Sequence, residues 1–153
     1  EKCHWLTKDL GFDGAINYRT EKVGPALKTL CPKGVDIYFD NVGGTISETV
    51  CSQMNLFGRI SVCGLISGYN EGKAMPGPKN FSLILMKRLK VQGFIVTDYG
   101  QRWSEAVHAL YGWVKEGKIK YAEDVEEGLE NAPNVLNKLF DGSNTGKLIL
   151  KVS

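Results

Sequence analysis

Short apolar runs, each closed by a turn and separated from the next by a helix-patterned segment, set the limits on what this chain can become. Val35–Asp40 (VDIYFD), residues 59–63 (RISVC) and residues 91–96 (VQGFIV) are mostly apolar without strict alternation, the pattern of a parallel strand covered on both faces. Between them, residues 45–54 carry Ile46, Val50 and Met54 at helical spacing, and residues 80–89 read as another helix. Strands joined through helices argue for parallel pairing, because a parallel pair needs a crossover and cannot be closed by a tight turn. The sequence therefore reads as α/β, with residues 35–40, 59–63 and 91–96 as neighbouring strands.

The flanking segments fit the same scheme. Residues 3–10 read as the end of a helix, with Cys3, Leu6 and Leu10 apolar and Gly11 at the position that stops it. Residues 15–18 read as a short strand, and Val23–Leu30 as a helix stopped by Cys31-Pro32-Lys33-Gly34. Residues 102–116 form an amphipathic helix through Trp103, Val107, Leu110 and Val114, closed by Gly117. Residues 121–129 read as extended, residues 132–140 as a helix stopped by Asp141-Gly142, and residues 147–152 (KLILKV) as a last strand. Trp5, Trp103 and Trp113 are expected as core or interface anchors and His108 as a surface residue.

Composition excludes several function classes. Nineteen basic residues against 17 acidic ones leave a net charge of +2 over 153 residues, so no field draws the chain to nucleic acid or to an anionic membrane. No apolar run approaches the roughly 18 residues needed to span a bilayer; Lys87, Arg88 and Lys90 interrupt the best candidate. Cys3, Cys31, Cys51 and Cys63 show no CxxC or CxH spacing, and His4 and His108 are the only histidines, so no metal site is expected. The cysteines read as small buried hydrophobes of a reducing, cytoplasmic protein, with Cys63, beside a glycine turn, the one candidate for a reactive thiol. The opening Glu1-Lys2-Cys3-His4 has neither an initiator Met nor a signal-peptide pattern, and the expectation is a chain that starts inside a longer protein.

The chemistry gathers at the strand ends. Asp40-Asn41-Val42-Gly43-Gly44, Cys63-Gly64-Leu65-Ile66-Ser67 and Thr97-Asp98-Tyr99 each follow a strand. Glycine there lets backbone approach a flat ligand or a phosphate without a Cβ in the way. Asn41 carries both a donor and an acceptor, which suits a ribose hydroxyl or a carboxamide. Asp40 reads as a structural strand-end carboxylate. Ligands of open α/β sheets bind outside the carboxyl ends of the strands, and the long irregular stretch of residues 67–79 follows one such end.

At this point the segments LGFDGAINY, GVDIYFDNVGG, FGRISVCGLISGYN, EGKIKY, EGLENAP and GSNTGKLILKV, which run in order along the chain, resemble a known family. It is the zinc-independent medium-chain dehydrogenase/reductases, in the prostaglandin reductase (alkenal/one oxidoreductase) branch. The resemblance implies a partial Rossmann-type doubly wound sheet in which the first two strands and the glycine-rich turn are absent. It implies that residues 1–118 belong to the dinucleotide-binding domain and residues 119–153 return to a barrel-like substrate domain. It further implies NADPH as cofactor, with Lys2 and Tyr18 near the 2′-phosphate and Asn41 at a ribose. Cys63, Gly64, Ile66, Ser67, Phe94, Ile95 and Val96 would line the nicotinamide, and Asn144 would reach a phosphate or ribose. Tyr69 and Tyr99 would hold the substrate, with Tyr99 the catalytic donor and residues 67–79 a lid.

The activity implied is reduction of the carbon–carbon double bond of an α,β-unsaturated ketone, a 15-keto-prostaglandin or related lipid enone, in a monomer or homodimer. Reduction of quinones or general alkenals, and a non-catalytic scaffold that keeps the fold, are the alternatives. On this reading Asn41, Gly64, Val96 and Tyr99 border one cavity, and a strand edge of the sheet stands open.

Overall fold

The computed structural model describes residues 1–69 and 77–152, which form two compact units. One is the continuous segment Gly11–Gly100; the other combines Glu1–Leu10 with Gln101–Ser153. In chain order the helices and strands are α1 (Lys2–His4), α2 (Val23–Leu30), β1 (Val35–Asp40), α3 (Gly44–Gln53), β2 (Met54–Val62), α4 (Ser82–Met86), β3 (Lys90–Gly93), α5 (Trp103–Lys115), β4 (Glu123–Glu127), α6 (Ala132–Asp141) and β5 (Lys147–Lys151).

The Gly11–Gly100 unit is built on a parallel sheet of order β1-β2-β3. Ile37 pairs with Arg59, Asp40 with Val62, and Ile60 with Val91. Val50, Cys51, Met54, Ile60 and Leu89 form its buried core, with Leu27, Tyr38, Ile46, Val62, Leu83 and Ile84 packed against them. All of these lie on one face of the sheet or on the helices against it. On the other face Ile37 and Phe39 remain 63% and 56% exposed, which corrects the expectation that β1 is covered on both sides. The cause is the handedness of the connections. The β1-α3-β2 and β2-α4-β3 crossovers advance in the same direction, and right-handed crossovers then put both helices on the same side.

Other expectations change as well. Residues 15–18 are not a strand, because no neighbouring strand among the described residues takes up their backbone groups. Instead Tyr18 N–H turns back to the Ile16 carbonyl, 3.1 Å, and the Thr20 and Glu21 amides bond the Asn17 carbonyl. The strand expected over residues 91–96 stops at Gly93; Phe94 N–H still reaches the Val62 carbonyl, but Val96–Arg102 winds into a 3-10 segment kinked at Tyr99. Helix α4 is shorter than residues 80–89 because Arg88 turns to a φ of +50°. Strand β2 begins earlier than residue 59, at Met54, and bulges where Phe57 takes a φ of +63° beneath the Arg88 guanidinium. Of the cysteines only Cys51 is buried, and Cys63 is exposed; Trp103 and Trp113 are also largely exposed along α5, and so are not core anchors.

In the other unit α1 runs into a π-helical turn, Trp5–Asp9, that ends as Leu10 N–H bonds the Trp5 carbonyl. Strands β4 and β5 pair in parallel, Val125 opposite Ile149. Helix α6 contributes the buried Val135, and Lys138 forms an ion pair with Glu126. At the entry to β5, Lys147 N–H bonds the Ala122 carbonyl, 2.8 Å, and Gly146 before it has a φ of +79°. No helix among the described residues is long and apolar enough to cross a membrane.

Two glycines with the same backbone sign have different surroundings. A Cβ on Gly146 would lie 2.1 Å from the Ala122 carbonyl oxygen, whereas one on Gly11 (φ +75°) would meet nothing within 4 Å. Gly11→Ala should therefore cost about 1 kcal/mol, the left-handed backbone penalty alone, and Gly146→Ala more than ~2 kcal/mol, since it must also push apart the β4–β5 entry. Urea denaturation of the two variants checks the order.

Candidate functional site

The carboxyl end of β1 is organised by Asp40, the one buried charged side chain among the described residues. Its Oδ1 accepts hydrogen bonds from the Tyr38 hydroxyl and from the Val42 and Gly43 amides, each 2.9 Å, and its Oδ2 accepts one from the Ser47 hydroxyl. Burial by itself would push the carboxyl up. The bonds from Ser47, the Gly43 and Val42 amides and Tyr38 together outweigh burial and hold it below the usual carboxylate range. Tyr38 is driven the other way, to about 12, mainly by burial and further by the adjacent carboxylate, against the bond to Ser47. Gly43, with a φ of +73°, is the N-cap of α3, so the carboxylate also satisfies amides at the start of that helix.

The backbone of Asp40 then holds the next tip. Its carbonyl accepts from Cys63 N–H (2.8 Å) and Gly64 N–H (3.2 Å); Ile66 N–H bonds the Asn41 carbonyl, and Ser67 bonds the Val42 carbonyl through both its amide and its hydroxyl. Residues 63–67 are thus stitched onto residues 40–42. Gly64 sits between Asn41 and Tyr69: a Cβ there would lie 3.3 Å from the Tyr69 hydroxyl and 3.4 Å from the Asn41 carbonyl. The Tyr69 hydroxyl in turn accepts the Leu65 amide, 3.1 Å.

The end of β3 carries a second group. The Phe94 ring lies against Phe39, centroids 6.0 Å apart, and edge-on to Tyr99 at 6.2 Å. Ile95 and Val96 project into solvent, and Ile95 N–H bonds the Asp98 carboxylate. Of the residues the sequence singles out, the structure brings Asn41, Gly64, Ser67 and Tyr69 together, and Phe94 with Tyr99. Cys63 and Ile66 stand exposed on the same turn, and Tyr18 is exposed after its own turn. A cavity of about 600 Å3 on the helix-covered face includes Ser67, and one of about 380 Å3 on the bare face includes Phe94 and Tyr99; Asn41, Gly64 and Val96 line neither. This corrects the expectation that these three and Tyr99 border one cavity, because Tyr99 lies beyond β3 on the bare face while Asn41 and Gly64 face each other at the β1 and β2 tips. Of the lid expected over residues 67–79, residues 70–76 lie outside the described residues.

In the other unit Lys2 Nζ donates to the Gly142 carbonyl at 2.5 Å, across 140 residues of sequence. Gly142 closes α6 through its amide, which donates to the Lys138 carbonyl, and leads into the turn holding Asn144, whose side-chain amide donates to the Gly146 carbonyl. A cavity of about 330 Å3 beside it is lined by Lys2, His4, Trp5, Asp9 and Thr145. Sequence reasoning singled out Lys2 and Asn144 separately but missed this meeting, which no local pattern announces. It also missed Tyr38 and Ser47. Tyr38 shares the inward face of β1 with Asp40, two residues apart, a signal that strand periodicity does carry. Among the described residues no group of three or more His, Cys, Asp or Glu side chains is arranged to hold a metal ion.

A parallel sheet with both crossover helices on one side, and glycine, asparagine and serine turns knitted together at its carboxyl ends, is part of an open α/β architecture, whose ligands meet the carboxyl ends of the strands. Comparison makes this specific: the family described as "Zinc-binding dehydrogenase" matches residues 1–111, and the chain belongs to that family. It is 47% identical over 154 residues to prostaglandin reductase 1 of Rattus norvegicus, covering 99% of this chain and 46% of that protein. It is 42% identical to the NADPH-dependent curcumin reductase of Escherichia coli (strain K12), covering 100% and 46%. The crystal structure of CurA in complex with NADPH from Vibrio vulnificus superposes with a TM-score of 0.90 at 39% identity, over 99% of this chain and 47% of that one. The chain thus spans about half the length of these relatives.

Asp40 makes the stability of the Gly11–Gly100 unit depend on acid. Its folded-state carboxyl titrates below the ordinary 3.8, so its contribution is full above that value and is lost as pH falls through the folded one. Asp40→Asn should flatten the acid limb of a stability-versus-pH curve. Ser47→Ala should cost about 1.5–3 kcal/mol at neutral pH, the range for a bond to a charged group. Thermal melts from pH 2.5 to 7 read both effects.

Proposed function

We propose that this chain is the cofactor-binding part of an NADPH-dependent reductase that saturates the carbon–carbon double bond of α,β-unsaturated ketones and aldehydes. Residues 1–118 would serve the dinucleotide and residues 119–153 would pack against a substrate domain. The observation that carries this reading is the stitched tip, where Asn41, Gly64, Ser67 and Tyr69 converge at the carboxyl ends of β1 and β2. The names of the relatives support it: prostaglandin reductase, curcumin reductase, and the NADP(+)-dependent 2-alkenal reductase of Nicotiana tabacum all denote reductases. A finer likeness, to prostaglandin reductase 2 and hence to 15-keto-prostaglandins, rests on KCHWLTKDLGFDGAINY and CPKGVDIYFDNVGG.

The residues suit a phosphorylated dinucleotide. Lys2 commits one donor to the Gly142 carbonyl out of the three an ammonium carries, and an ammonium and the exposed Tyr18 phenol match a dianionic phosphate. Asn41 adds an amide for a ribose hydroxyl, and Asn144 an amide beside Lys2's partner turn. The bound cofactor would supply a hydride to the β-carbon of the enone. Negative charge then develops on the substrate carbonyl oxygen. The Tyr99 hydroxyl, half-exposed and steadied by the Phe94 ring, is the donor we assign to that oxygen. Tyr69 would flank the substrate, while Cys63, Ile66, Ile95 and Val96 would offer backbone and apolar surface to the nicotinamide. The α-carbon takes its proton from solvent or from a tyrosine.

With the substrate domain present, NADPH oxidation by a 15-keto-prostaglandin, a short alkenal and a quinone distinguishes the substrate classes; turnover of the quinone alone would overturn the enone reading. Tyr99→Phe should lower kcat by about 10²-fold, as loss of an oxyanion donor does, while leaving the Kd for NADPH within about twofold. Lys2→Ala should weaken NADPH by about tenfold or more and leave NADH unchanged. Equal losses for the two nucleotides would remove Lys2 from the phosphate site.

A further inference from the structure

The bare face of the sheet carries two cations that the proposed reductase site does not use. Side chains alternate between the faces of a strand, so Arg59 and Ser61 of β2 point away from the core that holds Ile60. Arg59 lies opposite Lys90 of β3 and beside Ile37 of β1; two residues further on, Ser61 lies opposite Gln92 and beside Phe39. The cavity of about 380 Å3 opens over Ile37, Arg59, Ser61, Lys90 and Gln92. Ile60 borders it from between Arg59 and Ser61, and Phe94 and Tyr99 line it towards the carboxyl ends of the strands. No Asp or Glu lines it, and neither the Arg59 nor the Lys90 side chain makes a hydrogen bond or an ion pair among the described residues.

We propose that this cavity binds an organic carboxylate with a flat apolar body, the acid between Arg59 and Lys90 and the body along Ile37 and the Phe94 ring. Charge is the first argument. Like charges directly opposite one another on neighbouring strands destabilise a sheet. Arg59 and Lys90 stand in that relation with no carboxylate of the chain between them. A carboxylate with two oxygens can bridge them, one oxygen pair matching the guanidinium fork and the other side meeting the ammonium. Ser61 and Gln92 add a hydroxyl and an amide that can also donate. A cation would meet only repulsion here.

Shape is the second argument. The volume falls inside the range of small-molecule pockets, roughly 300–1,000 Å3. Ile37 is 63% exposed beside Arg59, and the Phe94 ring is fixed between Phe39, at 6.0 Å, and Tyr99, at 6.2 Å. A flat ring laid on this apolar surface leaves water on both sides and stacks in a favoured geometry. An inorganic anion gains none of this. Exposed cations in water hold a bare anion weakly, so the apolar body supplies the remaining affinity and fixes the orientation.

Phe94 and Tyr99 also serve the proposed reductase site, but the ligand class follows from the two cations, which do not. The test therefore needs no turnover, and its failure leaves the reductase reading standing. The probe is 2-naphthoate, titrated into the chain labelled at Ile methyl groups, with neutral 2-naphthamide and inorganic phosphate as comparisons. The expected result is one saturable site for 2-naphthoate, in which the Ile37 methyls shift and those of Ile46, Ile84 and Ile149 do not. Both 2-naphthamide, which lacks the charge, and phosphate, which lacks the apolar body, should bind about tenfold or more weaker. Arg59→Gln and Lys90→Gln should each weaken 2-naphthoate by about fivefold or more. Neither should lower the Tm of the free chain, since each relieves the like-charge pair. Equal affinity for acid and amide, equal affinity for phosphate, silent Ile37 methyls, or undiminished binding in both variants would each overturn the proposal. Should the variants fail to fold, the comparison of acid with amide in the unsubstituted chain decides alone.

Discussion

One buried carboxylate holds the working end of the sheet in place. Asp40 gathers the Tyr38 and Ser47 hydroxyls and two amides at the start of α3, while its own carbonyl anchors the amides that begin the next turn. A buried charge is tolerated only when such a set of donors surrounds it. The geometry of residues 40–42 and 63–67 follows from satisfying that one group. The tips of β1 and β2 are positioned, directly or at one remove, by this arrangement, whereas Phe94 and Tyr99 beyond β3 are held by ring contacts.

How much of this was legible beforehand depends on how far each feature reaches. Helix α2 and strand β1 were readable to the residue, because Pro32, Gly34 and the run VDIYFD mark their limits locally. The parallel pairing of β1, β2 and β3 was readable too, since helical segments between strands supply the crossovers it needs. Residues 15–18 misled because a strand is a property of two chains side by side, and a β-like sequence without a neighbour folds back on itself. The exposure of Ile37 and Phe39 was hidden for a related reason: hydrophobicity shows that a face can be covered, not that something within the unit covers it.

The site divides in the same way. Asp40 as a structural carboxylate, and Asn41 and Gly64 as tip residues, could be identified from their places after apolar runs, whereas Tyr69 came only with the family resemblance. That the Tyr69 hydroxyl would settle against Gly64, or that Lys2 would meet the carbonyl of Gly142, depends on backbone paths that no window of sequence contains. Likeness to known reductases supplied Lys2 and Asn144 as candidates, without the contact of Lys2 with the turn that holds Asn144.

The discontinuity of one unit bears on how the chain is made. Gly11–Gly100 is contiguous, so all of its internal partners emerge from the ribosome before residues 101–152 follow. The other unit closes only after residues 101–142 have followed, because Asp9 waits for Lys120 and Lys2 for Gly142. Over that interval the opening helix stays without its eventual neighbours. Vectorial synthesis therefore imposes an order of assembly that refolding from denaturant need not follow.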